Sequence, residues 1–190
     1  MSEKFPYNKL NRELAEAKLA KENFKRVTLS FYRYVNISEP DDLRMELFYH
    51  WESLGVLGRV YVAKEGINAQ ISVPKHNLKT FKVHLYESSY FKGIPFKFAT
   101  ENEGQSFYKL TIKVKQQIVA DGLSSNDYDV TNVGKHLDSK EWNEAVNNGA
   151  IVVDMRNHYE SEIGHFKNAI LPEAETFREE LPMVKSLLKG

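Results

Sequence analysis

From Phe24 onward, apolar and polar residues alternate. Val27, Leu29, Phe31 and Val35 interleave with Thr28, Ser30, Tyr32 and Tyr34, the period of a strand with one buried face. Pro40-Asp41-Asp42 then opens a helix that puts Leu43, Leu47, Trp51 and Leu54 on one side. The acidic residues of its first turn suit the helix dipole, and Gly55 and Gly58 bracket its end. Val60 and Val62 alternate with Arg59 and Tyr61, and Ile67, Ala69, Ile71 and Val73 alternate with Asn68, Gln70 and Ser72. Ala63-Lys64-Glu65-Gly66 between these two strands predicts a tight connection with positive φ at the glycine. A second helix is expected from about His76 to Tyr90, with Leu78, Phe81 and Leu85 facing inward. Phe96 and Phe98 mark a short strand, and Leu110, Ile112 and Val114 mark the last. The order β-α-β-β-α-β, with an extra strand or hairpin arm near residues 97–109, predicts an α+β ferredoxin-like (split βαβ, acylphosphatase-like) domain over residues 24–120. Such a domain lays two helices on one face of an antiparallel sheet.

The flanks read differently. Residues 1–23 form a helical extension, with a polar helix expected over Asn8–Asn23 and a thin stripe of Leu10, Leu14 and Leu19. That stripe suits a peripheral helix lying across the next domain. Residues 121–134, crowded with Gly, Ser, Asn and Asp, read as a linker. Asp138 and Glu141 then make a capping box for a helix carrying Trp142 and Val146, which Gly149 stops. The apolar run Ala150-Ile151-Val152-Val153 predicts a strand buried on both faces of a parallel sheet.

Composition narrows the function classes. The 190 residues carry 26 basic and 26 acidic side chains and no cysteine, which removes disulfides and thiol chemistry from these residues. With zero net charge, any nucleic-acid contact rests on a local patch. Residues 1–23, 24–134 and 135–190 carry +1, +2 and −3, and residues 75–119 are locally +5. Tyr90, Phe91, Phe107 and Tyr108 interleave with those lysines, as platforms for stacked bases would. A solvated face beside ordinary core aromatics produces the same pattern. The six histidines include no i, i+4 pair, and no metal-ligand spacing occurs. No signal-length apolar core or membrane-length apolar run is present, which points to the cytoplasm.

Asp154-Met155-Arg156 closes an apolar strand and sets a carboxylate beside a guanidinium at the carboxyl edge of the sheet, where α/β folds build sites. An internal ion pair that fixes the loop is the plainer reading of Asp154 and Arg156, and loop packing is the plainer reading of His165. The segment VVDMRNHYESEIGHFKNAILPEAETFREEL (152–181) resembles the opening of a rhodanese domain: an Asp-x-Arg strand end, an acidic short helix and a Gly-His turn.

Upstream, GRVYVAKEGINAQISVP (58–74) and KLTIKVKQQIV (109–119) stand in order with EIGHFKNAILPEAETFREEL (162–181). Together they resemble the bacterial rhodanese-containing tRNA uridine hydroxylases. The resemblance implies oxygen-dependent hydroxylation of the wobble uridine to 5-hydroxyuridine at tRNA position 34. It also implies molecular oxygen as co-substrate, tRNA (anticodon region) as partner, and a catalytic cysteine in a rhodanese loop beyond Gly190. No metal or flavin site is legible. Residues 135–190 then form the N-terminal part of a rhodanese-like domain, too small to stand alone. The expectation is a piece of a longer protein that binds RNA without turning over. Candidate RNA contacts are Lys64, Glu65 and Asn68, taken as exposed residues on the glycine turn, with Lys109, Lys113 and Lys115. Asp154, Arg156 and His165 are the candidate supports of the rhodanese loop. The alternatives are a rhodanese-type sulfurtransferase and a non-catalytic RNA- or protein-binding module. Acylphosphatase activity is disfavoured, because Asn36-Ile37-Ser38-Glu39 stands where an arginine-bearing phosphate loop belongs.

Overall fold

The computed structural model describes residues 6–8, 11–99, 107–119, 122–123, 128–129, 132, 134–174 and 176–188. The chain divides into two compact units, Met1–Val119 and Ala120–Gly190.

In the first unit, helix α1 (Arg12–Ala20) precedes β1 (Arg26–Tyr34), α2 (Pro40–Ser53), β2 (Leu57–Ala63), β3 (Gly66–Pro74), α3 (Leu78–Glu87), β4 (Lys97–Phe98) and β5 (Leu110–Val114). The strands form one sheet in the order β4-β1-β3-β2-β5. One parity of β1, β2, β3 and β5 is apolar: Leu29 and Phe31, Val60 and Val62, Ile67, Ala69 and Ile71, Leu110 and Ile112 are all buried. Helices α2 and α3 cover that face. Trp51 of α2 and Phe81 of α3 pack ring against ring at 5.2 Å, and Phe31 of β1 lies edge-on to Trp51 at 6.3 Å. Aromatic burial of this kind dominates a core of this size. Arg44 of α2 is also buried; it donates to the carbonyls of Ile112 and Pro6 and lies over the Phe48 ring. Burial holds its pKa below the usual arginine value.

Three sequence expectations change here. Lys97–Phe98, read as part of an extra arm, takes the fourth ferredoxin position beside β1, and Leu110–Val114 is the addition. β5 runs parallel to β2, so the sheet is mixed rather than antiparallel. The reason is burial: β5 closes the open edge of β2 and places Leu110 and Ile112 in the core, whereas Lys97 and Phe98 are both exposed. The stripe of α1 is also shifted. Leu14 is 57 % exposed while Ala15 and Leu19 are buried, and Leu10 lies outside the described residues. Ala15 has so short a side chain that α1 can approach its neighbours along that row.

In the second unit, α4 (Ser139–Asn147) starts on the Asp138–Glu141 capping box, and Trp142 meets Phe166 at 4.7 Å. α5 (His158–Ile163) and α6 (Phe177–Leu187) follow. Most of residues 121–134 lie outside the described residues. The strand expected at 150–153 is not buried on both faces: Ile151 is 67 % exposed, and the pairing there is a single parallel bridge between Val153 and Ile170. An apolar run is buried only where other elements cover it, and among the described residues only Ile170 pairs with this one.

Candidate nucleic-acid interface and the Asp154 loop

The turn joining β2 and β3 is tightly held. Val35 N and Ile37 N donate to the carbonyls of Glu65 and Lys64 at 2.9 and 2.8 Å. Gly66 has φ of 148°, and a Cβ there would stand 2.0 Å from the Arg33 carbonyl oxygen, so only glycine lets β1 approach so closely. Lys64 is exposed, but Glu65 is not, which corrects its reading as an exposed RNA contact. Its Oε1 accepts the Ile118 amide at 2.6 Å, a charge-assisted bond that ties the segment after β5 to the turn. Asn68, half-buried, donates to the Ile118 carbonyl at 3.4 Å. A carboxylate beside an unpaired amide turns inward, and sequence spacing does not show that amide.

The sheet face opposite α2 and α3 gathers the other parity. The strand register aligns Lys97, Ser30, Gln70, Arg59 and Thr111 in one row across the sheet. The next row holds Tyr32, Asn68, Tyr61 and Lys113. No position on this face in the register is Asp or Glu. Tyr32 is 48 % exposed, and Arg59, Lys97, Lys113 and Lys115 are exposed. Lys97 Nζ lies 5.8 Å from the Tyr32 ring centre, and Lys115 Nζ lies 5.8 Å from that of Tyr61. Lys109 sits at the start of β5, beside a cavity of about 290 Å³ also lined by Arg12, Arg59 and Tyr108. Arg12 lies over the Tyr108 ring at 5.5 Å.

Of the aromatic residues picked out from sequence, Phe107 and Tyr108 line this cavity, whereas the other two lie elsewhere. Phe91 is fully buried in the core, and Tyr90 is half-buried with its hydroxyl 3.3 Å from Ser38 Oγ. Tyr32, Arg59, Tyr61 and Lys97 were not singled out as a site. The signal was present in strand parity, but parity alone does not say which strands are neighbours.

In the second unit, Asp154 follows the bridge: its amide donates to the Ile170 carbonyl at 2.9 Å. Arg156 grips the Asp154 carboxylate with Nε at 2.9 Å and Nη2 at 2.6 Å, and Nη2 also donates to the Gly164 carbonyl at 2.7 Å. This fork holds the Asp154 carboxyl below the usual carboxylate range and raises the guanidinium. His165 Nδ1 donates to the Ser161 carbonyl at 2.9 Å. Glu180 of α6, not singled out from sequence, is 1 % exposed, and its Oε2 has no hydrogen-bond partner among the described residues. Burial, then the charge of Asp154, pushes its pKa up.

The amides of Val35 and Ile37 are committed to the β2–β3 turn, so the loop after β1 offers no ready anion cradle at those positions. Among the described residues, no group of three or more His, Cys, Asp or Glu is placed to hold a metal ion. No described helix is long and apolar enough to cross a membrane.

Residues 26–118 match the family model of the UPF0176 acylphosphatase-like domain. The chain is 54 % identical over 185 residues to a tRNA uridine(34) hydroxylase of Leptospira interrogans, covering 97 % of this chain and 50 % of that protein. Proteins of the same name from Photorhabdus laumondii and Escherichia coli O157:H7 are each 43 % identical, across 96 % and 97 % of this chain and 53 % of their own length. The chain spans about half the length of the curated relatives it matches. Residues 26–118 are thus similar to the UPF0176 acylphosphatase-like domain, and the chain as a whole is similar to about half of the length of proteins named tRNA uridine(34) hydroxylase.

Proposed function

We propose that this chain serves hydroxylation of the uridine at position 34 of tRNA, with molecular oxygen as co-substrate and the anticodon region as the part of the tRNA bound. The observation that carries the reading is the 54 % identity, across 97 % of the chain, to a protein named for that activity. In this reading residues 1–23 are a helical extension, 24–120 a ferredoxin-like domain, 121–134 a linker and 135–190 the first part of a rhodanese-like domain. Support for the last comes from the parallel bridge that leads into Asp154 and from the Arg156 fork behind it. Asp154, Arg156 and His165 shape that loop and do not react. The 190 residues hold no cysteine, so a cysteine nucleophile of the kind the family resemblance implies is contributed from outside them. The work takes place in the cytoplasm, where tRNA is modified.

The test is to grow the source organism, with and without the gene, under heavy-isotope dioxygen and to digest its tRNA for mass spectrometry. Isotope-labelled 5-hydroxyuridine at the wobble position is expected only when the gene is present. Undiminished labelled nucleoside after deletion would overturn the proposal.

A further inference from the structure

We infer that the open face of the first unit's sheet is a platform for single-stranded RNA, on which Tyr32 and Tyr61 stack bases while Arg59, Lys97, Lys113 and Lys115 take the phosphates. The inference deepens the tRNA reading above and rests on it for the identity of the RNA.

Two observations carry it together. The first is charge. The face presents exposed Arg59, Lys97 and Lys113 from three strands and Lys115 just after β5, with no carboxylate at any register position, in a chain whose net charge is zero. The nearest acidic side chain in the adjoining turn, Glu65, is turned inward onto the Ile118 amide. Such one-signed segregation within a neutral molecule suits a polyanion. The second is the spacing of the rings. Tyr32 and Tyr61 share a row, separated by β3, which sets them roughly 10 Å apart at a strand spacing of nearly 5 Å. Splayed, unstacked nucleotides can lay bases on both. Each tyrosine already has a lysine near its ring, and those ammonium groups are free to turn toward phosphates. Asn68 stands between the two rings, its amide held to the Ile118 carbonyl at 3.4 Å, and spaces them across β3.

The cavity beside α1 continues the platform at its edge, since Arg59 and Thr111 line both. Tyr108 and Lys109 give it the aromatic and cationic character that one further nucleotide requires, while Arg12 over the Tyr108 ring is paired with Glu16 at 2.7 Å. The face is sequence-tolerant by construction, because stacking and phosphate contacts do not discriminate strongly between bases.

The experiment uses the 190-residue chain and fluorescence anisotropy with three probes: an anticodon stem-loop RNA, single-stranded oligouridine and an RNA duplex. Both the stem-loop and the oligouridine are expected to bind more tightly than the duplex. Tyr32→Leu should weaken them about tenfold, whereas Tyr32→Phe should restore binding, as expected if the ring rather than the fold matters. The pair Arg59→Ala with Lys113→Ala should make the plot of log affinity against log salt shallower by roughly 1. All these positions are solvent-facing, and circular dichroism checks that each variant folds. Polyglutamate, an acidic polypeptide, should bind weakly and be indifferent to Tyr32→Leu.

No RNA binding by the wild-type chain, unchanged RNA binding in all variants, or tight polyglutamate binding at this face would overturn the inference. The hydroxylase reading falls separately, on the isotope-labelled nucleoside measured in cells.

Discussion

At the scale of single residues, the most consequential side chain is Glu65. Its carboxylate is buried and joins the β2–β3 turn to Ile118 across more than fifty residues of chain. Glu65→Ala should destabilise the first unit by about 2 kcal/mol, read from urea unfolding, because it leaves the Ile118 amide unpaired. Gly66→Ala should cost more than about 1 kcal/mol, given the backbone it would meet. The sequence predicts positive φ at Gly66 but not the approach of β1 behind it, and it reads Glu65 as exposed rather than as the partner of Ile118.

Two titrating residues act in opposite senses. His84 stacks on His50 at 3.4 Å and lies 3.7 Å from Glu46. Burial, then the neighbouring His50, lowers its pKa, although Glu46 and Glu87 pull the other way. The unfolded ring takes up its proton near pH 6.5 while the folded one resists. Stability is therefore held above about pH 6.5 and lost as the pH falls toward the lowered folded value. Melting temperature against pH should show that decline, and His84→Gln should flatten it. Glu180 behaves in reverse, since its folded pKa is raised. Its contribution is fully present below the unfolded value of about 4.3 and is lost as the pH climbs from there through the raised folded value. Glu180→Gln should accordingly raise the melting temperature of the second unit at neutral pH.

At the scale of elements, local rules were mostly sufficient. Capping is the clearest case. Asp138 accepts from Lys140 N and Glu141 N, and the Glu141 carboxylate returns to the Asp138 amide at 3.1 Å. Asp138→Ala should cost about 1 kcal/mol, measurable as fraying of α4 by hydrogen exchange. β5 shows where local rules stop. Its alternation predicts a strand, but the edge it joins and its parallel sense depend on β2 having an open side. Ile112→Ala should cost about 3 kcal/mol in the unfolding of the first unit, a core strand's penalty rather than that of an accessory arm. The phase of α1 was misread for a related reason. Alanine carries little weight in a hydrophobic stripe, yet its smallness is what lets a helix sit close.

At the scale of the whole molecule, the two units differ in how they are built. The first has a continuous apolar core from Leu29 to Ile112. In the second, the buried described residues are Asp154, Ser161, Pro172 and Glu180, while Ile151, Ile163 and Phe166 are exposed. Polar anchoring around Asp154 therefore organises the second unit more than apolar packing does. Zero net charge makes long-range steering weak, so RNA affinity should follow the number of cations on the sheet face. Its log-log salt slope should be roughly −3 for four phosphate contacts to single-stranded RNA.

Periodicity, turn residues and capping signals were enough to place the main elements of the first unit and the start of α4, because each rests on neighbours close in the chain; the family resemblance rested on the motifs at 58–74, 109–119 and 162–181. Sheet order, the parallel seating of β5 and the inward turn of Glu65 depend on partners tens of residues away. So does the meeting of Tyr32, Arg59, Tyr61, Lys97 and Lys113 on one face. Only the folded sheet brings those residues together, since strand parity assigns a side but says nothing about which strand lies alongside.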